Sequence, residues 1–261
     1  MQDVQEILEN VDKAKISIIM QVNLEEYNGS RSNPVDKFKR AVTSFKNQIY
    51  KNCELIVVAD GCNKTYQMYM RNYKNDPSIR FVYLDRIGVP KMYDEIEDKG
   101  KYYRGLARNV GVAAATGSLI TYMDSDDFLT PEFTMTIMLY YNADSDKDWF
   151  LNTSWYDHQN VVNSTQNSTA ITENFKAIPN VTIPGLQDAW KPMELKPGKM
   201  IMTPWLLTHK KSVKTEWRDI LSYSTSEDVD FYNRMSAEYP NGIAFKKAIY
   251  ARCHSSGLWD V

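Results

Sequence analysis

Four short runs of β-branched and apolar residues, ISIIMQV (16–22), ELIVVA (54–59), IRFVYL (79–84) and SLITYM (118–123), restrict this chain more than any other feature. Each has the length of a buried strand. Helical spacing fills the gaps between them. Residues 34–49 place Val35, Phe38, Val42, Phe45 and Ile49 on one stripe and open with Asn33-Pro34, a cap followed by proline at the first helical position. Residues 102–116 form a second helix with Leu106, Val110 and Ala113 inward, and Gly117 is placed to end it in the left-handed conformation. Strands alternating with crossover helices predict an α/β fold, a three-layer sandwich around a mostly parallel central sheet. Ligands on such sheets sit at the carboxyl ends of the strands.

After about residue 145 the rhythm becomes irregular. Residues 157–174 carry too much Asn, Ser and Thr to bury and read as a loop or an exposed hairpin. The segment 179–205 holds five prolines, with Trp190 and Trp205 among them, and reads as a rigid loop wall followed by a strand near 199–207. Two helices, 210–221 and 226–238, and a last strand near 243–250 complete the chain. Its 261 residues, 43% of them hydrophobic, can bury a full core as one domain or as two intimately packed halves. The expected division is 1–145 and 146–261, packed as one continuous domain.

The segment SLITYMDSDDFLTPEF (118–133) runs an apolar strand into an acidic cluster. Strand side chains alternate faces, so Asp124 and Asp126 are expected on one side, with Ser125 pointing away. A hard divalent cation takes oxygen ligands and a diphosphate takes that cation, so the spacing suits a metal-bridged nucleotide. The same string, with Thr130 as helix cap and Pro131 behind it, is also common as a solvated acidic loop.

The formal charge of −2 gives no global attraction to nucleic acid or anionic lipid. No apolar run approaches the roughly 20 residues that cross a bilayer, and the first fifteen residues are too acidic and polar for a secretory signal. A cytoplasmic protein is therefore expected. Cys53, Cys62 and Cys253 form an odd set without paired ligand spacing, which favours reduced thiols over disulfides or zinc.

The order of parts resembles a family 2-type glycosyltransferase of the GT-A fold over nearly the whole chain. The resemblance is carried by ISIIMQVN, CELIVVADGCNKT and YYRGLARNVGVAAATGSLITYMDSDDFLTPE, then by STSEDVDFYNRM and the late Cys253-His254. It implies a nucleotide-sugar-binding half, 1–145, and a smaller acceptor-binding and catalytic-base half, 146–261. The first strand departs from the family's Pro-Thr-Tyr-Asn pattern, ending Met20-Gln21-Val22-Asn23, and Gln21 is its candidate donor contact. The resemblance also implies a cofactor, Mn²⁺ or Mg²⁺.

Residue by residue, Asp60 can accept from a uracil NH or ribose hydroxyls, or can be a simple Asp-Gly turn residue. Arg104 and Arg108, one helical turn apart, can fork a diphosphate or form a solvated basic face, and Asn109 beside them is a structural or ribose-side contact. The resemblance implies Asp126 as direct metal ligand, Asp124 as ligand to ribose or metal, Asp127 as acceptor for a sugar hydroxyl, and His254 as completing the metal shell. It makes Asp228 the catalytic base beside Glu227. On the sequence alone these two acids equally complement a helix start capped by Ser226, whose dipole is expected to lower the Asp228 pKa and keep it ionised. Trp190 and Trp205 are candidates for stacking on an acceptor, with core packing the alternative.

The implied activity is transfer from a nucleotide sugar, UDP-linked in the first instance, to a glycan, a lipid-linked sugar or a hydroxylated DNA base, with inversion. A sugar-phosphate nucleotidyltransferase would want a glycine-rich phosphate loop after the first strand, of which NLEEYNGSRSNP is a poor version. A non-catalytic nucleotide- or glycan-binding module is opposed by the intact Asp124, Asp126, Glu227, Asp228 and His254.

Overall fold

The apolar runs become four adjacent parallel strands: β1 (Ile16–Val22), β2 (Cys53–Asp60), β3 (Ile79–Leu84) and β4 (Leu119–Tyr122). The computed structural model describes residues 13–25, 33–87, 104–156, 207–219 and 227–252. Within these, the helices are α1 (Pro34–Lys46), α2 (Asn63–Asn72), α3 (Gly105–Ala114), α4 (Phe133–Ala143) and α5 (Glu227–Glu238). Four further strands are β5 (Phe128–Leu129), β6 (Trp149–Tyr156), β7 (Leu207–Lys210) and β8 (Gly242–Arg252). The sheet order is β3-β2-β1-β4-β7-β6-β8-β5. Strand β7 is antiparallel to both its neighbours and β5 is antiparallel to β8, while β6 and β8 are mutually parallel.

Side-chain alternation divides the core into two layers. On one face Ile16, Ile18, Met20, Leu55 and Val57 pack with Phe38, Val42 and Phe45 of α1 and Phe133 and Ile137 of α4. On the other, Ile19, Ile56, Val58 and Ile120 meet Ala107 of α3, Phe231 and Met235 of α5, and Trp217. Burying a sheet on both faces is what long apolar strands require. No described helix is long and apolar enough to cross a membrane.

Several expectations are corrected. Helix α1 stops at Lys46 and leaves Ile49 exposed, and Asn33 makes no side-chain cap. Thr130 does not cap α4 either, because a turn at 131–132 follows it and the helix begins at Phe133, behind Glu132. The inward face of α3 is formed by Gly105, Ala107, Arg108 and Gly111, with Ala113 exposed. At Gly111 the helix lies too close to the sheet for a larger residue. Gly117 does not adopt the left-handed conformation; a Cβ there would lie 2.5 Å from the Lys15 carbonyl oxygen, so close approach explains the glycine. The expected helix at 210–221 is absent over its described part: β7 ends at Lys210, a turn follows, and 213–219 is not helical. Val213 and Trp217, four apart and both buried, imitate a helical stripe there, but tertiary bonds hold the backbone open. Helix α2 and strand β6 were not anticipated. Residues 157–174 and 179–205 lie outside the described residues.

Candidate functional site

The carboxyl edge of the parallel strands gathers most of the candidate residues. Asp124, Asp126 and Asp127 offer carboxylate oxygens that all lie within 4.8 Å of one another. Their convergence has a different cause from the one expected. Strand β4 ends at Tyr122, and the acids sit in a turn closed by a hydrogen bond from Asp127 N to Asp124 O of 3.3 Å. The turn is anchored from outside by Arg40 of α1, which donates to the Asp126 carbonyl and packs over the Phe128 ring. Three hard oxygen donors in one turn match the preferences of Mn²⁺ or Mg²⁺.

Facing this edge is the first turn of α5. Glu227 is buried, and its Oε1 receives Arg104 at 3.2 Å and lies 3.5 Å from Arg108 Nη1. Burial pushes the Glu227 pKa up, but Arg108 and Arg104 outweigh it and hold the group below its ordinary value. Asp228 behaves in the opposite way. Burial raises it and the neighbouring charges of Glu227 and Asp124 add to the rise, against Arg108 and Arg104, so it stands at about 7. The expectation that the helix start keeps it ionised is therefore overturned: desolvation exceeds a helix-end effect of about 0.3–1 kcal/mol. Arg108 Nη1 and Asp228 Oδ1 lie 3.6 Å apart, and neither has a hydrogen-bond partner among the described residues.

The two arginines are thus brought to the acids of α5. Asn109 serves the polypeptide, because its amide nitrogen donates to Trp217 O at 2.9 Å and its oxygen accepts from Trp217 N at 2.8 Å. Gly105 lets the same loop approach, since a Cβ there would lie 2.7 Å from the Arg218 carbonyl carbon. Asp219 then accepts from Gly105 N at 3.0 Å at the first turn of α3.

Asp60, at the end of β2, is 1% exposed and meets Arg86 at two points, one of them Nη2 to Oδ2 at 3.0 Å. Gln21 is buried nearby on β1, and its Oε1 has no hydrogen-bond partner among the described residues. Cys62 Sγ accepts from Leu24 N and Thr65 N, both at 3.3 Å, and ties the end of β1 to α2. Trp190, Trp205, Ser226, Cys253 and His254 lie outside the described residues. Sequence reasoning missed Arg40, Arg86 and Trp217. The first two gave no signal, and the third was hidden in an apparent helical stripe.

No family model matches the chain. An uncharacterized glycosyltransferase of Haemophilus influenzae is 32% identical over 117 residues, which are 44% of this chain and 37% of that protein's length. Among solved structures, S. aureus TarS 1–349 in complex with UDP-GlcNAc is similar at a TM-score of 0.57 and 16% identity, over 91% of this chain and 58% of the other. The mannosyltransferase PcManGT from Pyrobaculum calidifontis, in complex with GDP-Man and Mn²⁺, gives 0.58 and 12%, over 97% and 64%. The chain thus spans less than two thirds of each of these proteins, and at such identities the solved structures speak for fold. This chain has the α/β fold of the GT-A glycosyltransferases, with its acidic turn at the carboxyl edge of the parallel strands.

Proposed function

We propose that the chain is a glycosyltransferase that moves a sugar from a nucleoside diphosphate donor, UDP in the first instance, to an acceptor hydroxyl with inversion. The observation that carries this reading is the meeting, at one sheet edge, of a three-carboxylate turn with a half-buried Asp228 whose proton affinity is raised in part by Asp124. A fork of metal-ligating acids beside a carboxylate poised near neutrality is what displacement at an anomeric carbon needs.

Asp124, Asp126 and Asp127 would hold Mn²⁺ or Mg²⁺, with His254 as a further ligand. When bound, the cation offsets charge on the leaving diphosphate. Asp228 takes the acceptor's proton as the new oxygen–carbon bond forms and the bond to the diphosphate oxygen breaks. Glu227, held ionised by two arginines, keeps those arginines beside it. Arg104, about a third exposed, is better placed than the buried Arg108 to meet a diphosphate. Gln21 and the Asp60–Arg86 pair form the end that receives the base and ribose. The acceptor is a glycan, a lipid-linked sugar or a hydroxylated DNA base, with Trp190 and Trp205 as the side chains to stack on it. A cytoplasmic setting fits the free, buried Cys53 and Cys62.

Calorimetry with UDP tests the donor site. Affinity is expected to fall when Mn²⁺ is chelated and in Asp126→Ala, and equal affinity in all cases removes the cation from the reading. For the base, Asp228→Asn is expected to keep UDP affinity and lose on the order of 10²–10⁴ in turnover of a UDP-sugar. Product NMR showing retained anomeric configuration contradicts a single displacement.

A further inference from the structure

We infer that Trp217 is a positioning residue that fixes the Asp228 carboxylate through Arg108; the inference rests on the transferase reading above. Trp217 belongs to a non-helical segment, yet it is among the most firmly held side chains of the site. Both its backbone polar groups are bound by Asn109, at 2.8 and 2.9 Å. Its indole stacks on Phe231 of α5, with ring centroids 3.9 Å apart and planes at 3°. Its Nε1 donates to Tyr122 Oη at 3.0 Å.

The far end of that bond is equally determined. His209 Nδ1 lies 2.8 Å from the Lys210 carbonyl, which can only accept, so Nδ1 carries the proton and Nε2 is the acceptor. Burial holds this imidazole neutral by lowering its pKa to about 4. Tyr122 then donates to His209 Nε2 at 2.8 Å and accepts from Trp217. Each donor has one acceptor, and the indole has one orientation.

Over that indole sits the Arg108 guanidinium, its Cζ 4.4 Å from the ring centroid. A guanidinium over an aromatic face is attracted by the ring's electron-rich face, the more so where water is excluded. The carboxylates attract Arg108 by charge but do not fix its orientation through hydrogen bonds at Nη1. Its Nη1 is 3.5 Å from Glu227 and 3.6 Å from Asp228, beyond normal hydrogen bonds, and Nη1 is unpartnered in that sense among the described residues. The indole face sets where the cation stands, and the cation sets where the carboxylate of Asp228 is drawn. Phe231, stacked on the same indole, ties the loop to the helix that carries Asp228.

The test compares the parent with Trp217→Leu, which stays apolar but removes the aromatic face, and Trp217→Phe, which keeps a face; both lose the Nε1 donor to Tyr122. UDP-sugar turnover and UDP affinity are measured with Mn²⁺, together with the ¹H–¹⁵N resonance of Arg108 Nε. Trp217→Leu is expected to lose about 10- to 100-fold in kcat, the scale of a displaced group, with UDP affinity within about twofold. Trp217→Phe should recover most of that loss. The Arg108 resonance should be shifted by the ring current in the parent and in Trp217→Phe, and released in Trp217→Leu. A folded Trp217→Leu at the parent kcat, or equal kcat in the two variants, overturns the inference while the transferase reading stands. If Trp217→Leu does not fold, an Arg108 resonance without a ring-current shift in the parent overturns it instead. A parent that binds no UDP and turns over no UDP-sugar overturns the transferase reading, and the inference with it.

Discussion

Glu54 is a buried carboxylate and Asp228 a half-buried one, and their surroundings move them in opposite directions. Glu54 lies at the amino edge of β2, away from the acidic turn. Burial pushes it up, but bonds from Ser17 Oγ (2.6 Å), Thr116 N (2.7 Å), Thr116 Oγ1 (2.8 Å) and Lys15 Nζ (3.1 Å) outweigh that and hold it at about 2. A folded value below the unfolded one stabilises the fold above roughly pH 4.5, and that stabilisation is lost as pH falls towards 2. Glu54→Gln should therefore lower stability at pH 7 by roughly 3 kcal/mol and flatten its acid dependence, as measured by urea unfolding. At about 7, Asp228 has the reverse sign: its contribution is complete below roughly pH 4 and disappears as pH rises through 7. Asp228→Asn should melt with the parent at about pH 3.5 and progressively above it as pH rises to 8. A variant that melts lower at pH 8 contradicts the raised value. Residue types at the site were legible in sequence, but these directions were not, because each depends on how many donors the fold aims at a buried oxygen.

At the scale of elements, α3 shows why patterns succeed and then fail. Its existence follows from its helix formers, but its inward face does not, because apolar size is a poor guide where a helix lies close to a sheet. At Gly111 a Cβ would stand 2.3 Å from Ile19 Cγ2 and 3.2 Å from Val58 Cγ2. Gly111→Ala should accordingly cost about 1–3 kcal/mol despite the better helix propensity of alanine, and an unchanged urea midpoint contradicts that packing. The segment 211–219 makes the converse point. Its apolar spacing suits a helix, yet Asn109 takes up the backbone groups of Trp217, and the bonds a helix would need are spent elsewhere. The acidic turn was identified from its residues, while its geometry comes from a turn and Arg40 rather than from strand pleating.

For the whole molecule, the sheet order matters more than the division of the chain. Strand β7 lies between β4 and β6, and β5, from the first half, pairs with β8 at the far edge. A piece ending at residue 145 leaves β4 without its outer neighbour and β5 without any. Such a piece should show no cooperative thermal transition and should bind a hydrophobic dye, whereas a cooperative melt would make 1–145 an independent domain. The sequence by itself determined the parallel strands, the layered α/β architecture and the chemical types at the carboxyl edge, because buried strands and acidic turns are written in local composition. Only the tertiary structure decided the insertion of β7, the pairing of Arg86 with Asp60, the placement of Arg108 over Trp217 and the upward shift of the Asp228 pKa. Those depend on contacts between residues far apart in the chain and on loss of water around charge, neither of which a local pattern encodes.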